Sequence, residues 1–270
     1  MTLEELVAAA LAEDLGERGD VTSTLLVPED AMAEARLAAR SPGVLAGRAA
    51  GEEVLRQTGC DAEWLAADGD ALAPGQVAAV IRGQARAVLL GERTLLNFCC
   101  RLSGIATLTA RYVAACAPVA VLDTRKTTPG WRALEKAAVR AGGGVNHRIG
   151  LYDRVLVKDN HLALAGAGLE EAIARARREL PGLLVEVEAD DLDGVRRAVA
   201  AGADWVLLDN MGSEALRAAV AAAGGRAKLE ASGGMTLEGA RAAAATGVDA
   251  VSVGALTHSA PALDLGLDIG

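Results

Sequence analysis

In the second half of the chain, short apolar runs alternate with longer segments whose apolar residues recur every three or four positions, the pattern of successive βα units. The runs at 119–123, 154–158, 183–188, 204–209, 227–232 and 249–254 predict strands. They are apolar throughout rather than strictly alternating, as parallel strands buried on both faces should be. The segments at 130–141, 168–180, 190–201, 213–223 and 236–246 predict helices. Several open at a capping residue (Asp190, Ser213, Thr236) and several close at glycine (Gly202, Gly224, Gly247). Successive later strands end at Glu188, Asp209, Ser232 and Gly254, spaced by 21, 23 and 22 residues, the rhythm of a β/α barrel. An eight-unit barrel takes about 250 residues and only about 150 follow Val119, so the barrel is short of strands or irregular. A doubly wound open sheet fits the same alternation, although no GxGxxG opens a helix after a first strand.

The first hundred residues read differently. A helix is predicted at 3–14, strand-like runs at 33–39, 44–47, 62–66 and 77–82, and a long helical pattern at 87–102 that leads toward the barrel. The expected organisation is therefore an amino-terminal α/β domain with mixed or antiparallel strands over residues 1–108 and an α/β barrel domain with a carboxy-terminal tail over 109–270. The stretch DGDALAPGQ at 68–76 carries two carboxylates near a glycine but lacks the spaced oxygen ligands of a calcium loop, and it reads as a hairpin or turn.

Composition narrows the class. The 270 residues are 51% hydrophobic and only 2% aromatic, with 59 Ala and 31 Gly, so the core is built from small and aliphatic side chains. The formal charge of −9 argues against general nucleic-acid binding, which needs a basic face to displace phosphate counterions. Cys60, Cys99, Cys100 and Cys116 show no CxxC spacing and read as reduced, structural thiols. The start MTLEELVAAALAEDLGE is acidic and helical, unlike a signal peptide, and no charge-free apolar stretch reaches about 18 residues. A cytoplasmic protein with no membrane partner is expected.

The distribution of charge changes that picture. Residues 123–158 hold eight basic residues, including three of the four lysines, against three acids, a local charge of +5 in an acidic chain. A polyanion near this window and a solvated basic helix face are the two readings of that excess. The predicted strands also end in reactive side chains: Asp123, Arg125 and Lys126; Lys158 with His161; Glu186 and Glu188; Asp209 and Asn210; Glu230 and Ser232. In a barrel those ends converge on the active site. For Asp190 the reading is a helix cap. Ser232–Gly233–Gly234 before Thr236, and Gly254 before His258, would let backbone amides approach a phosphate at the last two strands, where barrels commonly bind one. Such a mouth suits a phosphorylated substrate and a second anion, with Glu188 and Asp209 placed for a divalent cation or for developing positive charge.

The run DTRKTTPGWRALEKAAVRAGGGVNHRIGLYDRVLVKDNH (123–161), with EVEAD (186–190), LLDNM (207–211), EASGG (230–234) and SVGALTHSAPALDLGLDI (252–269), resembles the quinolinate phosphoribosyltransferase family. EDLGERGDVTS near the start and GERTLLNFCCRLSGIAT at 91–107 extend the resemblance over nearly the whole chain. It implies an α/β fold with an amino-terminal α/β, sandwich-like domain and an irregular seven-stranded α/β barrel. The implied reaction joins quinolinate to 5-phosphoribosyl 1-pyrophosphate, releasing pyrophosphate and CO2, with Mg²⁺ and no organic cofactor. By motif, Thr124, Arg125, His147, Arg148 and Lys158 would bind quinolinate, joined by Arg93 from a neighbouring subunit of a homodimer or larger homo-oligomer. Lys126, Glu188 and Asp209 would be catalytic and handle the ribose pyrophosphate, with Glu188 and Asp209 meeting the metal directly or through water or pyrophosphate. Ser232, Gly233, Gly234, Gly254 and His258 would hold the 5′-phosphate. Trp131, where leucine is expected, and Arg154, where a small residue is expected, depart from the pattern and touch no expected ligand.

Three other readings stay open on the sequence. One is a related phosphoribosyltransferase acting on another base, such as a molybdenum-operon paralogue. Another is a Schiff-base aldolase using Lys158, since a strand-end lysine can be activated by desolvation. The third is a non-catalytic sensor of a phosphorylated ligand, against which Glu188 and Asp209 beside the phosphate cradle argue.

Overall fold

A computed structural model describes residues 1–166 and 168–270 of the chain. In chain order the elements are α1 (Leu3–Leu15), α2 (Val21–Leu26), β1 (Met32–Ala39), β2 (Gly43–Val44), α3 (Arg48–Thr58), β3 (Asp61–Trp64), β4 (Ala71–Leu72), β5 (Val77–Gln84) and α4 (Ala85–Cys116). They continue as β6 (Ala120–Leu122), α5 (Arg132–Ala141), β7 (Val155–Val157), α6 (Asp159–Ala165), α7 (Leu169–Glu179), β8 (Val185–Ala189) and α8 (Leu192–Ala200). The last are β9 (Trp205–Asp209), α9 (Ser213–Ala223), β10 (Lys228–Ser232), α10 (Leu237–Ala244), β11 (Ala250–Ser252), α11 (Ala255–His258) and β12 (Leu265–Ile269).

Two compact units interleave along the chain. The first comprises Met1–Ala110, Thr128–Gly143 and Ala260–Gly270, and the second Arg111–Thr127 and Gly144–Ser259. The expected boundary after residue 108 lies inside the continuous helix α4. Two segments assigned from sequence to the barrel domain, α5 and the tail, belong to the first unit. In α5 the Glu135 carboxylate is fully buried and accepts from Thr128 Oγ1 at 2.8 Å and Arg101 Nη2 at 3.3 Å. The tail forms β12, which pairs antiparallel with β1 from Ala35↔Ile269 to Ala39↔Leu265.

The first unit carries the antiparallel sheet β12-β1-β5-β3, and the two-residue strand β2 pairs with β4, which lies within the 68–76 stretch. Its first helix starts in a capping box: Thr2 Oγ1 accepts from Glu5 N at 3.1 Å and Glu5 Oε2 from Thr2 N at 2.7 Å. Trp131 stacks on Phe98 with centroids 4.6 Å apart.

The second unit is a parallel sheet in the order β6-β11-β10-β9-β8-β7. Its strands bury Val121, Val187, Val206, Leu208, Leu229 and Val251, in keeping with their continuous apolar character. Seven strands were expected; six form ladders, and Val145 adds only a single parallel bridge to Leu122. The cause is the next two residues. The buried Asp123 carboxylate accepts from Asn146 Nδ2 at 2.5 Å and from His147 N at 2.9 Å, which draws the chain out of the ladder. Helix α8 is capped by Asp191, whose Oδ1 accepts from Gly194 N at 2.7 Å, rather than by Asp190. Ser213 is the first residue of α9, after a Gly212 cap without a side-chain bond, whereas Thr236 caps α10 as expected.

Gly104 in α4 marks the tightest approach in the first unit: a Cβ there would stand 2.1 Å from Pro261 O and 2.9 Å from Ala262 Cα. Alanine favours a helix over glycine by about 1 kcal/mol, so propensity alone predicts that Gly104→Ala stabilises. Overpacking against backbone should win, lowering stability by about 2 kcal/mol or more. A lower urea midpoint is the expected result, and a raised one would show that the 260–262 segment yields freely.

Candidate active site

Because the six strands of the second unit run parallel, their carboxyl ends share one edge of the sheet, and the polar residues singled out there converge. A cavity of about 560 Å³ is lined by Thr124, Arg125 and Lys126 after β6, by His147 and Arg148, and by Lys158 after β7. Opposite in sequence order, Glu188 of β8, Asp209 of β9, and Ser232, Gly233 and Gly234 at the end of β10 complete the lining.

The glycines are required by geometry. Gly233 has φ 105° and a Cβ there would stand 2.2 Å from Asn210 Oδ1, while Gly234 has φ 51°. Gly254 is not among the lining residues, yet a Cβ on it would meet Lys126 Cδ at 3.0 Å and His258 Nε2 at 3.1 Å. Gly254 and His258 therefore stand beside Lys126. Thr257 ties them together, its hydroxyl donating to Lys126 O at 2.8 Å. Arg93 is an exposed residue of α4 in the first unit and is not among the lining residues.

The cationic wall of the cavity has two notable features. Arg125 Nε is buried with no hydrogen-bond partner among the described residues, a donor left for a ligand. Burial, with Arg125 next to it, pushes the Arg148 guanidinium below its ordinary pKa. Lys158 Nζ is ion-paired with Glu188 Oε2 and its side chain is 42% exposed. An ion-paired, solvated ammonium is a poor Schiff-base nucleophile, which disfavours the aldolase reading.

His147 belongs also to a charged network with Glu186 and Glu230, two strand-end acids to which the motif gave no role. His147 Nε2 is 3.0 Å from Glu186 Oε2 and 3.3 Å from Glu230 Oε2. Burial lowers the imidazole pKa, but the bonds and charges of the two glutamates outweigh it and raise the pKa to about 9. Arg148 N approaches His147 Nδ1 at 2.7 Å, which leaves Nε2 as the ring nitrogen facing the carboxylates. Burial pushes Glu186 up, yet His147 and Arg154 hold its carboxyl below the usual range. In Glu230 burial and the charge of Glu186 prevail and raise it. Both acids were visible at strand ends in the sequence, and alternation could have given them a role: Glu186 shares a face with Glu188, and Glu230 with Ser232.

Arg154, a departure from the family pattern, joins this network. Its Nη1 is 3.4 Å from His147 Nε2 and 3.1 Å from Glu186 Oε2. That guanidinium also decides between metal sites. His147, Glu186 and Glu230 offer ligand atoms within 4.8 Å of one another, but a cation there would face Arg154. Glu188 and Asp209, two hard oxygen donors lining the open cavity, fit Mg²⁺ better.

The chain matches the quinolinate phosphoribosyl transferase C-terminal domain over residues 105–268 and the N-terminal domain over residues 20–103. It is 43% identical to a probable nicotinate-nucleotide pyrophosphorylase (carboxylating) of Bacillus subtilis, covering 100% of this chain and 94% of that protein. It is 42% identical to a nicotinate-nucleotide pyrophosphorylase (carboxylating) of Mycobacterium leprae, covering 98% and 96% of the two chains. The solved structure of the nicotinate-nucleotide pyrophosphorylase from Francisella tularensis superposes with a TM-score of 0.93 at 39% identity, over 99% of this chain and 96% of that one. With both domains matched and relatives aligned from end to end, the chain belongs to the quinolinate phosphoribosyltransferase family.

Proposed function

We infer that this enzyme transfers the phosphoribosyl group of 5-phosphoribosyl 1-pyrophosphate to quinolinate and decarboxylates the product to nicotinate mononucleotide, a step of NAD biosynthesis. The observation that carries the site assignment is the unpartnered, buried Arg125 Nε in a cavity shared with Arg148, His147 and Lys158. Guanidinium forks bind carboxylates through paired hydrogen bonds, and a pyridine dicarboxylate presents two. Thr124 contributes its place in the same lining. The sugar phosphate falls to Ser232, Gly233, Gly234, Gly254 and His258, with Lys126 between them and the acid-binding wall.

As pyrophosphate departs, positive charge develops on the ribose, and the carboxylates of Glu188 and Asp209 stabilise it. The pyridine nitrogen forms the new bond to the anomeric carbon and becomes cationic. The C2 carboxylate then leaves as CO2, its bonding electrons remaining on C2 beside that cation until a proton is taken up there. Mg²⁺, held by Glu188 and Asp209 directly or through water or the pyrophosphate, would neutralise charge on the leaving group. No organic cofactor is required by this chemistry.

A second copy of the chain completes the site in this reading. A larger cavity of about 820 Å³ shares Arg125, Arg148 and Lys158 with the first, and its lining residues Leu151 and Tyr152 are 73% and 74% exposed. Apolar surface at a charged mouth suits a partner that brings Arg93. No helix among the described residues is long and apolar enough to cross a membrane. The four cysteines are free, as in a reducing cytoplasm.

Turnover of quinolinate with release of pyrophosphate and CO2 is the direct test, and it separates this reading from transfer to another base. Lys158→Ala should raise the quinolinate KM at least about tenfold, the worth of one charge-assisted contact, or abolish turnover; unchanged kinetics would remove Lys158 from the site. Mixing inactive Arg93→Ala and Lys126→Ala proteins should restore activity through one intact site per heterodimer, and no recovery after verified subunit exchange would count against the shared site. Chelation should abolish turnover and added Mg²⁺ restore it; full activity in chelator would exclude the metal.

A further inference from the structure

Arg154 is a departure from the family pattern that stands directly behind the acid-binding wall. It immediately precedes β7, and its side chain is 14% exposed. Its Nη1 lies 3.1 Å from Glu186 Oε2 and 3.4 Å from His147 Nε2, and its Cζ lies 5.5 Å from the centroid of the Trp205 ring. Its main-chain oxygen accepts a long 3.5 Å contact from Arg148 Nη1. The placement follows from register. Leu156 pairs with Glu186 and Glu186 with Trp205, so a guanidinium reaching from β7 crosses β8 and comes to rest on the indole of β9.

We propose that Arg154 is a positioning residue of the dicarboxylate site, holding the Glu186 carboxylate and through it the His147 ring in the orientation that presents His147 and Arg148 to quinolinate. His147 Nε2 faces two acceptors at nearly equal distance, Glu186 at 3.0 Å and Glu230 at 3.3 Å. A ring between two such carboxylates has two orientations of similar energy. Arg154 removes the ambiguity because it donates to the same Glu186 oxygen that faces His147, while the indole restrains the guanidinium. Without it Glu186, fully buried and with Oε1 already unpartnered, keeps His147 alone. Arg154 does not line the cavity that holds Glu188, Asp209 and the glycines, so the phosphoribosyl side is untouched.

The proposal rests on the assignment of His147 and Arg148 to quinolinate. The test compares the full chain with Arg154→Met, Arg154→Lys and the double variant Arg154→Met/Glu186→Gln, by calorimetric quinolinate binding and steady-state kinetics. Arg154→Met should raise the quinolinate Kd and KM about tenfold while the phosphoribosyl pyrophosphate KM stays within about twofold. Arg154→Lys, which keeps the charge but not the planar fork, should recover part of that loss. The double variant should bind no more weakly than Arg154→Met, because the group through which Arg154 acts has gone. Equal quinolinate Kd in wild type and Arg154→Met, a parallel rise in both KM values, or a loss confined to melting temperature overturns the proposal. Should Arg154→Met not fold, the ratio of the two KM values in Arg154→Lys decides in the same way. Wild type that binds phosphoribosyl pyrophosphate but not quinolinate would instead remove the site assignment, and the proposal with it.

Discussion

The carboxylate of Asp123 turns a barrel strand into a binding site. It sits fully buried at the end of β6 and accepts from the side chain of Asn146 and the backbone of His147. Had Asn146 and His147 continued the pairing that Val145 begins with Leu122, the seventh strand would have formed and its side chains would have alternated between core and surface. With both anchored to Asp123, His147 instead lines the cavity with Arg148. A buried carboxylate is costly unless its oxygens are hydrogen-bonded, and here the bonds from Asn146 and His147 both help to satisfy it and shape the site.

A similar economy governs charge. Gathering cations in a partly buried cavity is costly: burial first, and then the neighbouring charge of Arg125, hold the Arg148 guanidinium below its ordinary pKa. The acids below offset it without occupying the cations: Glu186 engages His147 and Arg154, and Glu230 completes the floor. Buried ion pairs of this kind contribute little net stability, and their worth lies in holding groups in place. Glu188 differs, because its partner Lys158 lines the same cavity, so the ion pair stands open to that cavity.

Much of this was legible in the sequence, for local reasons. Continuous apolar runs fixed the existence of β6 to β11, and α9 matches its predicted span because glycine brackets it at Gly212 and Gly224. The cradle at Gly233 and Gly234 was legible because few residues other than glycine tolerate that backbone. What escaped notice depends on partners far along the chain. β12 is a strand only because β1, more than 200 residues earlier, offers it an edge. α3 begins at Gly47 without a side-chain cap and so carries no start signal. Arg154 looked inert because its partners lie on β8 and β9, and register, not sequence spacing, brings them within reach.

The basic window shows how far a charge count can be trusted. Its excess of +5 over residues 123–158 pointed to an anion, and Arg125, Lys126, Arg148 and Lys158 do line the cavity. Arg132, Lys136 and Arg140, however, lie on α5 in the other unit, where Lys136 is almost wholly buried. Arg154 turns instead to Glu186, outside the window, and to His147. The local sum was therefore right about the site while misplacing three of the charges that produced it. Charge marks a binding region only when the chain folds those residues to one edge, and here the end of β6, the Asp123 anchor and the end of β7 are what gather four of the eight.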